Sequence, residues 1–251
     1  MRLYLNEETY IDTSKGIDIA IELSNHEQNP KAWYVDTPVF EPVRANGFIG
    51  SVAEGGAVNF RNIFFNPHGH GTHTECVGHI SREHFSVNTY LREYWFEATL
   101  ISIEPKSVQN SDGKLDKVVT LEQVLQLAPF NTDALIIRTL PNLAEKLSKT
   151  YSGTNPPYFE AEIADYLVQS GVKHILVDLP SVDREEDGGV LDFHHRFWQY
   201  PTNPRMEATI TELVYVPNEV KDGQYLLNLQ VAPFDNDASP SRPVLFEITH
   251  K

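Results

Sequence analysis

Apolar positions along the second half of the chain fall into runs of strand length: Ala134 to Arg138, Val172 to Asp178, Thr209 to Val216, Tyr225 to Val231 and Val244 to Ile248. Rich in Val, Ile and Leu and bounded by turn formers, they predict strands. Two other segments have helical spacing. Thr120 followed by Gln123 has the arrangement of a capping box, in which a hydroxyl and an amide satisfy each other's backbone N–H, and predicts a short helix over 120–128. From 159 to 170, Ile163, Tyr166 and Leu167 share one face and Gly171 stands where a left-handed residue ends a helix. Helices interleaved with strands predict an α/β fold with a mixed sheet. The last three strands follow one another without a helix between them, so part of that sheet is antiparallel.

Two polar stretches punctuate the pattern, residues 104–118 with the turn signal Asp112-Gly113 and residues 151–158 with a proline pair. Neither is long enough to tether two domains, so residues 1–251 are expected to form a single domain, within the prior of roughly 150 residues per domain. The chain is 41% hydrophobic and 22% charged, the composition of a folded domain rather than a disordered one. Its formal net charge of −15 repels nucleic acid and anionic lipid, so no nucleic-acid or membrane partner is expected. No run approaches the ~18 apolar residues of a membrane span. The stretch MRLYLNEETYIDTSKG lacks a basic segment followed by an apolar one, which makes the cytoplasm the expected location. The single cysteine, Cys76, excludes an intrachain disulfide and a cysteine-based zinc knuckle.

The chemistry concentrates in histidine. Five of the ten histidines (His68, His70, His73, His79, His84) lie between positions 68 and 84, most of them in NPHGHGTHTECVGH. Gly69 and Gly71 break any helix there, so the imidazoles are expected on an irregular loop. Neutral imidazole is the commonest metal ligand and Glu75 adds a hard oxygen, a donor set that suits Zn²⁺, Mn²⁺ or Fe²⁺. The plain alternative is a solvated histidine-rich loop. Downstream, strand alternation in Thr209 to Val216 puts Glu212 on the face of Ile210, Val214 and Val216. A bare carboxylate on an apolar face costs several kcal/mol, so it must be protonated, bound to a cation or paired with a buried Arg or Lys. His194 and His195, after the acidic loop 183–187, are either surface decoration or further donors. The chain has no HExxH, GxSxG or Walker motif.

These residues resemble the cyclase-like metal hydrolases, the family that includes bacterial kynurenine formamidase (arylformamidase) and isatin hydrolase. The signature H-x-G-T-H-x-D-x-P-x-H is followed, with changes, by Gly71-Thr72-His73-Thr74-Glu75-Cys76-Val77-Gly78-His79. ILVDLPSVD (Ile175 to Asp183), His194-His195-Arg196-Phe197-Trp198 and Ile210-Thr211-Glu212-Leu213 resemble three further family elements, so the likeness runs from about the histidine loop onward. The resemblance implies a swivelling β/β/α architecture with one or two divalent ions per chain, zinc first, with manganese or iron as alternatives. It implies His73 and Glu75 as ligands, Glu75 bridging to a second ion held by His194 (or His195) and Glu212, and His79 in catalysis. The first ligand is His68, because Pro67-His68 looks like the family's P-H step, with His70 as the alternative. Glu75 in place of Asp lengthens the arm by roughly 1 to 1.5 Å, and Val77 replaces Pro.

The implied reaction is hydrolysis of an amide, formamide or lactam in a small-molecule substrate by water that the metal has converted to hydroxide, with N-formylkynurenine as the leading substrate. His79 would pass a proton to the leaving nitrogen. The resemblance also implies a homodimer or higher homo-oligomer. Phe60, Phe64, Phe65, Phe85 and Tyr90 flank the loop, either as an aryl pocket or as core. Two other readings compete: a non-catalytic metal-binding or sensor protein of the same fold, which Glu75 and Val77 would permit, and Cys76 as a nucleophile beside a histidine.

Overall fold

The computed structural model describes residues 1–110 and 113–251. Asp112 of the Asp112-Gly113 signal lies outside the described residues, while Gly113 has φ +77°.

Among the described residues, nine strands form one mixed sheet: β1 (Ile17–Asp18), β2 (His73–Glu75), β3 (Trp95–Ile103), β4 (Ala134–Thr139), β5 (His174–Val177), β6 (Thr209–Glu212), β7 (Gly223–Asn228), β8 (Ala238–Pro240) and β9 (Val244–Glu247). Their spatial order is β8-β2-β6-β5-β4-β3-β7-β9-β1. The four central strands β6, β5, β4 and β3 run parallel, and antiparallel strands extend the sheet on both sides. The parallel strands read as unbroken apolar runs because both faces are covered. Leu135, Ile137, Ile175 and Val177 pack beneath the helices, whereas Ala134, Ile136 and Leu176 pack on the other face with Leu100, Leu227 and Leu245. Each such leucine, isoleucine or valine contributes about 1.5–3 kcal/mol on burial.

Helix α1 (Leu121–Leu127) starts where the sequence predicts, with Thr120 Oγ1 accepting from Gln123 N–H at 3.4 Å and Gln123 Oε1 accepting from Thr120 N–H at 3.1 Å. Helix α2 (Glu162–Gln169) begins later than its periodicity suggests, because Phe159 pairs with Val119 in a small parallel ladder, and it ends before Gly171 at φ +78°. Helix α3 (Asp192–Trp198) and the long strand β3 fall outside the predicted elements. Strand β6 stops at Glu212 because Leu213 turns to φ +54°. Ile210 therefore packs in the helix-side core while Val214 and Val216 belong to the opposite one, so the single face expected from 210 to 216 does not exist.

A hairpin of Val39–Pro42 against Arg61–Phe64 stands off this body with Phe60, Ile63 and Phe64 exposed. Among the described residues, no helix is long and apolar enough to cross a membrane.

Candidate metal centre

The histidine segment is more regular than its glycines suggest. Asn66 Oδ1 accepts the Gly69 N–H at 3.1 Å and caps one helical turn, Pro67–His70, with proline in its first positions. Gly69 is required there because a Cβ would lie 2.7 Å from Val35 Cγ2. After Gly71 the chain becomes β2, so the loop expected throughout this segment is half strand. In a strand, residues i and i+2 share a face, which sends His73 and Glu75 to one side while Thr74 Oγ1 meets Thr211 Oγ1 at 2.7 Å on the other. The register of β2 with β6 sets Glu212 opposite His73.

Three imidazoles converge, each turned by an acceptor behind it. His73 donates Nδ1–H to the Gly71 carbonyl at 3.0 Å, leaving Nε2 to face Glu212 Oε2 at 3.4 Å. His194, near the start of α3, has Nδ1 2.5 Å from Asp183 Oδ2 and Nε2 3.2 Å from Glu75 Oε1. His68 has Nε2 2.9 Å from Asp237 Oδ2 and Nδ1 3.1 Å from Glu75 Oε2. Such backing carboxylates and carbonyls fix the tautomer and ring orientation of metal-binding histidines. The ring of His79 lies 4.4 Å from that of His68 and 5.5 Å from that of His194 by centroids, with Nδ1 3.7 Å from Glu75 Oε2. Glu212 is held from its other oxygen, Oε1 accepting the Val182 N–H at 3.1 Å.

His70 is not part of this group. Its Nδ1 accepts the Asn66 N–H at 2.8 Å and its Nε2 lies 2.6 Å from the Asp36 carbonyl, so both ring nitrogens are engaged by backbone on the far side of the turn. His195 also points elsewhere, Nδ1 lying 3.2 Å from the Tyr200 carbonyl. The flanking aromatics form no pocket over the cluster: Phe60 and Phe64 are exposed on the hairpin, Phe65 packs on Phe234, and Phe85 packs on Tyr90. Cys76 is fully buried, and burial pushes its thiol up to about 12, which keeps it protonated and removes it as a nucleophile.

The donors fit a divalent cation. His73 Nε2 and Glu75 Oε2 are buried without a hydrogen-bond partner, a costly condition that a cation relieves. Two sets of ligand atoms, His68–Glu75–His79 and His73–Glu75–Glu212, each lie within 4.8 Å of one another, and Glu75 belongs to both. Among the described residues, the ion-pair partners of Glu75 and Glu212 are all histidines, so the buried Arg or Lys alternative for Glu212 does not apply. Without an ion the site gathers protons instead. Burial disfavours the cationic form of His68 and His194, yet the facing carboxylates, Asp237 and Glu75 for the first and Asp183 and Glu75 for the second, raise each to about 10. Burial likewise opposes ionisation of Glu75, and the surrounding imidazoles override it and hold the carboxyl well below its ordinary value.

Asp183 and Asp237 are the residues that sequence reasoning missed. Asp183 ends ILVDLPSVD and also accepts the Phe193 N–H at 2.9 Å and the His194 N–H at 3.2 Å, capping α3 while it holds the ring. Asp237 sits in the acidic stretch Asp235-Asn236-Asp237, whose only signal was its charge.

A mixed α/β sheet with histidines and carboxylates gathered at β2 and β6, towards its β8 edge, defines a protein with a buried donor cluster that could hold a divalent metal. The comparisons give its lineage. A family model described as "Putative cyclase" matches residues 17–184, and the chain belongs to this Cyclase family. The match begins well before the histidine loop, where the motif likeness starts. The chain is similar to the kynurenine formamidase of Bacillus cereus, 31% identical over 237 residues that cover 93% of this chain and 98% of that protein. It is similar also to the kynurenine formamidase of Bacillus anthracis, 29% identical over 234 residues with the same coverage of 93% and 98%. Isatin hydrolase A from Ralstonia solanacearum shares the fold, with a TM-score of 0.66 at 14% identity over 92% of this chain and 91% of that one.

Proposed function

We propose that this chain is a metal-dependent hydrolase of C–N bonds other than peptide bonds, cleaving an amide, formamide or lactam, and that its substrate is an aryl formamide of the N-formylkynurenine type. The observation that carries the reading is Glu75, a buried carboxylate common to both donor sets whose Oε2 faces imidazoles without accepting a hydrogen bond. The named relatives support the bond type. His68, His73, Glu75, His194 and Glu212 would hold the ions, zinc in our reading. Bound there, divalent metal supplies Lewis acidity to the carbonyl and to the attacking water.

The remaining work belongs to the chain. A cavity of about 350 Å³ opens on the cluster, with Trp33, His68, His79, His194 and Glu212 among its walls. Trp33 and Tyr34 both adopt φ +58°, a left-handed conformation that costs of order 1–3 kcal/mol in non-glycine residues. Their neighbours hold it, Ala32 N–H on the Gly69 carbonyl at 3.0 Å and Tyr34 N–H on Ser152 Oγ at 2.8 Å. The result presents an indole to the cavity, whereas none of the aromatics flanking the histidine loop is among its walls. The indole suits an aryl substrate. His79, its side chain 30% exposed, is the least enclosed imidazole of the cluster. At that rim its ring takes a proton from the attacking water and delivers it to the leaving nitrogen.

The hairpin supports a homodimer. Phe48, Val52, Phe60, Ile63 and Phe64 are exposed between positions 39 and 64, and that segment carries Glu41, Glu54, Arg44 and Arg61, a formal charge of zero in a chain of −15. A neutral apolar patch is where two such chains meet with least repulsion.

The test is turnover of N-formylkynurenine and of isatin by zinc-loaded protein beside His79→Ala, with elemental analysis of both. We expect formate release from the parent and a loss of about 10²- to 10⁴-fold in the variant at unchanged metal content. Equal, negligible turnover of both substrates at full metal content would favour the metal-binding module. Cleavage of isatin alone would move the substrate to lactams.

A further inference from the structure

We propose that Asp237 is a positioning residue of the metal centre: its Oδ2 accepts Nε2–H from His68, so that Nδ1 is the atom His68 offers to the ion, and the same carboxylate sets the ring of His79. The inference rests on the reading of His68 and Glu75 as ligands. The contacts are 2.9 Å from Oδ2 to His68 Nε2 and 3.4 Å to His79 Nδ1. His68 is thereby turned so that Nδ1 lies 3.1 Å from Glu75 Oε2, on the side of both donor sets. Asp183 does the same for His194 in the opposite sense, taking Nδ1 and leaving Nε2. The two backing carboxylates select opposite nitrogens of their rings.

The chain builds this contact deliberately. Strand β8 pairs with β2 so that Ala238 lies opposite Glu75, and the Cys76 N–H donates to the Asp237 carbonyl at 3.0 Å, which pins Asp237 beside the motif from across the sheet edge. Val87 N–H holds the preceding Asn236 carbonyl at 2.9 Å. Gly78 makes room: a Cβ there would stand 2.2 Å from the Phe85 carbonyl oxygen and 3.1 Å from Asp237 Cβ. The Phe85 backbone is what requires glycine there, and Asp237 Cβ is the next atom an added Cβ would crowd. The lever is geometric, since rotating His68 by a flip of its ring would exchange a lone pair for an N–H at the ion.

The experiment compares wild type, Asp237→Asn and Asp237→Ala for zinc affinity by chelator competition, and records ¹⁵N-imidazole spectra of the zinc-loaded proteins. We expect His68 in wild type to coordinate through Nδ1 with Nε2 protonated. Affinity should fall about 10- to 100-fold in Asp237→Ala, and less in Asp237→Asn because the amide oxygen still accepts the Nε2–H. Coordination of wild-type His68 through Nε2, or unchanged affinity and unchanged His68 signals in both Asp237 variants, would overturn the inference. So would equal loss of a whole ion from Asn and Ala, since Asp237 would then be a ligand itself. A wild type that takes up no ion at all would overturn both this role and the function proposed above, which separates the two failures.

Discussion

Two buried acidic sites lie at the carboxyl ends of adjacent parallel strands, Asp178 just after β5 and Glu212 at the end of β6, and the chain completes them in different ways. Asp178 is fully enclosed by its own protein: Lys146 Nζ lies 2.7 Å from Oδ2, the Thr139 N–H reaches the same oxygen at 2.9 Å, and Thr139 Oγ1 donates to Oδ1 at 2.8 Å. Burial holds the Asp178 carboxyl above its ordinary value, with Lys146 and the Thr139 donors offsetting only part of the rise. At the other site Glu212 and Glu75 face imidazoles, with His73 Nε2 and Glu75 Oε2 left without a hydrogen bond. A lysine is a fixed cation that ends the matter. Imidazole is a base with a lone pair, so a cluster of imidazoles and carboxylates remains open to an exchangeable cation, proton or metal. The difference separates a structural ion pair from a functional centre more sharply than burial does.

The comparison breaks first at Glu75. Replacing it with Gln should abolish shared coordination and lower turnover by about 10³-fold or more, since polarisation by the ion is worth several kcal/mol. Full activity with two ions per chain, measured by elemental analysis and initial rates, would deny the bridging geometry its importance. At the other site, Lys146→Met should leave Asp178 buried and unpaired, costing about 3–5 kcal/mol in urea unfolding, while zinc per folded chain stays at the wild-type value. Asp178→Leu added to Lys146→Met should recover much of that loss, because the uncompensated charge is gone.

The smallest effect sharpens the contrast through pH. His68 and His194 in the metal-free protein are raised from an ordinary 6.5 to about 10, so the folded state holds more protons than the unfolded state between those values. Their stabilisation is complete below about 6.5 and is lost as pH rises towards 10, with a slope of up to about 1.4 kcal/mol per pH unit for each group. The melting temperature of metal-free protein should therefore fall from pH 6.5 to 9.5. Zinc-loaded protein should show a shallower dependence, because metal replaces those protons. Parallel curves for the two forms would mean that the ion does not occupy this cluster.

Much of the fold was legible because burial on both sheet faces leaves an unmistakable apolar run, as in Ala134 to Ile137, and because caps such as Thr120 and Gln123 act over a single turn. Strand β3 was less legible, since Glu97 and Thr99 interrupt its apolar pattern at the surface. Helix α3 was hidden for another reason: its amino-terminal cap is Asp183, outside the helix and across the acidic loop, so the local signal is missing.

The sequence by itself determined the chemical inventory of this protein: the mixed α/β pattern, the clustered histidines, Glu75 and Glu212, and a likeness to a hydrolase family. Only the tertiary structure decided which of those groups meet. His70 and His195 turn to backbone carbonyls while His68 and His194 turn inward, and Asp237 arrives from a strand added at the sheet edge. Identity and short-range spacing are properties of the chain, but ring orientation depends on what stands behind each imidazole, and here two of those acceptors come from distant positions through strand register and a helix cap.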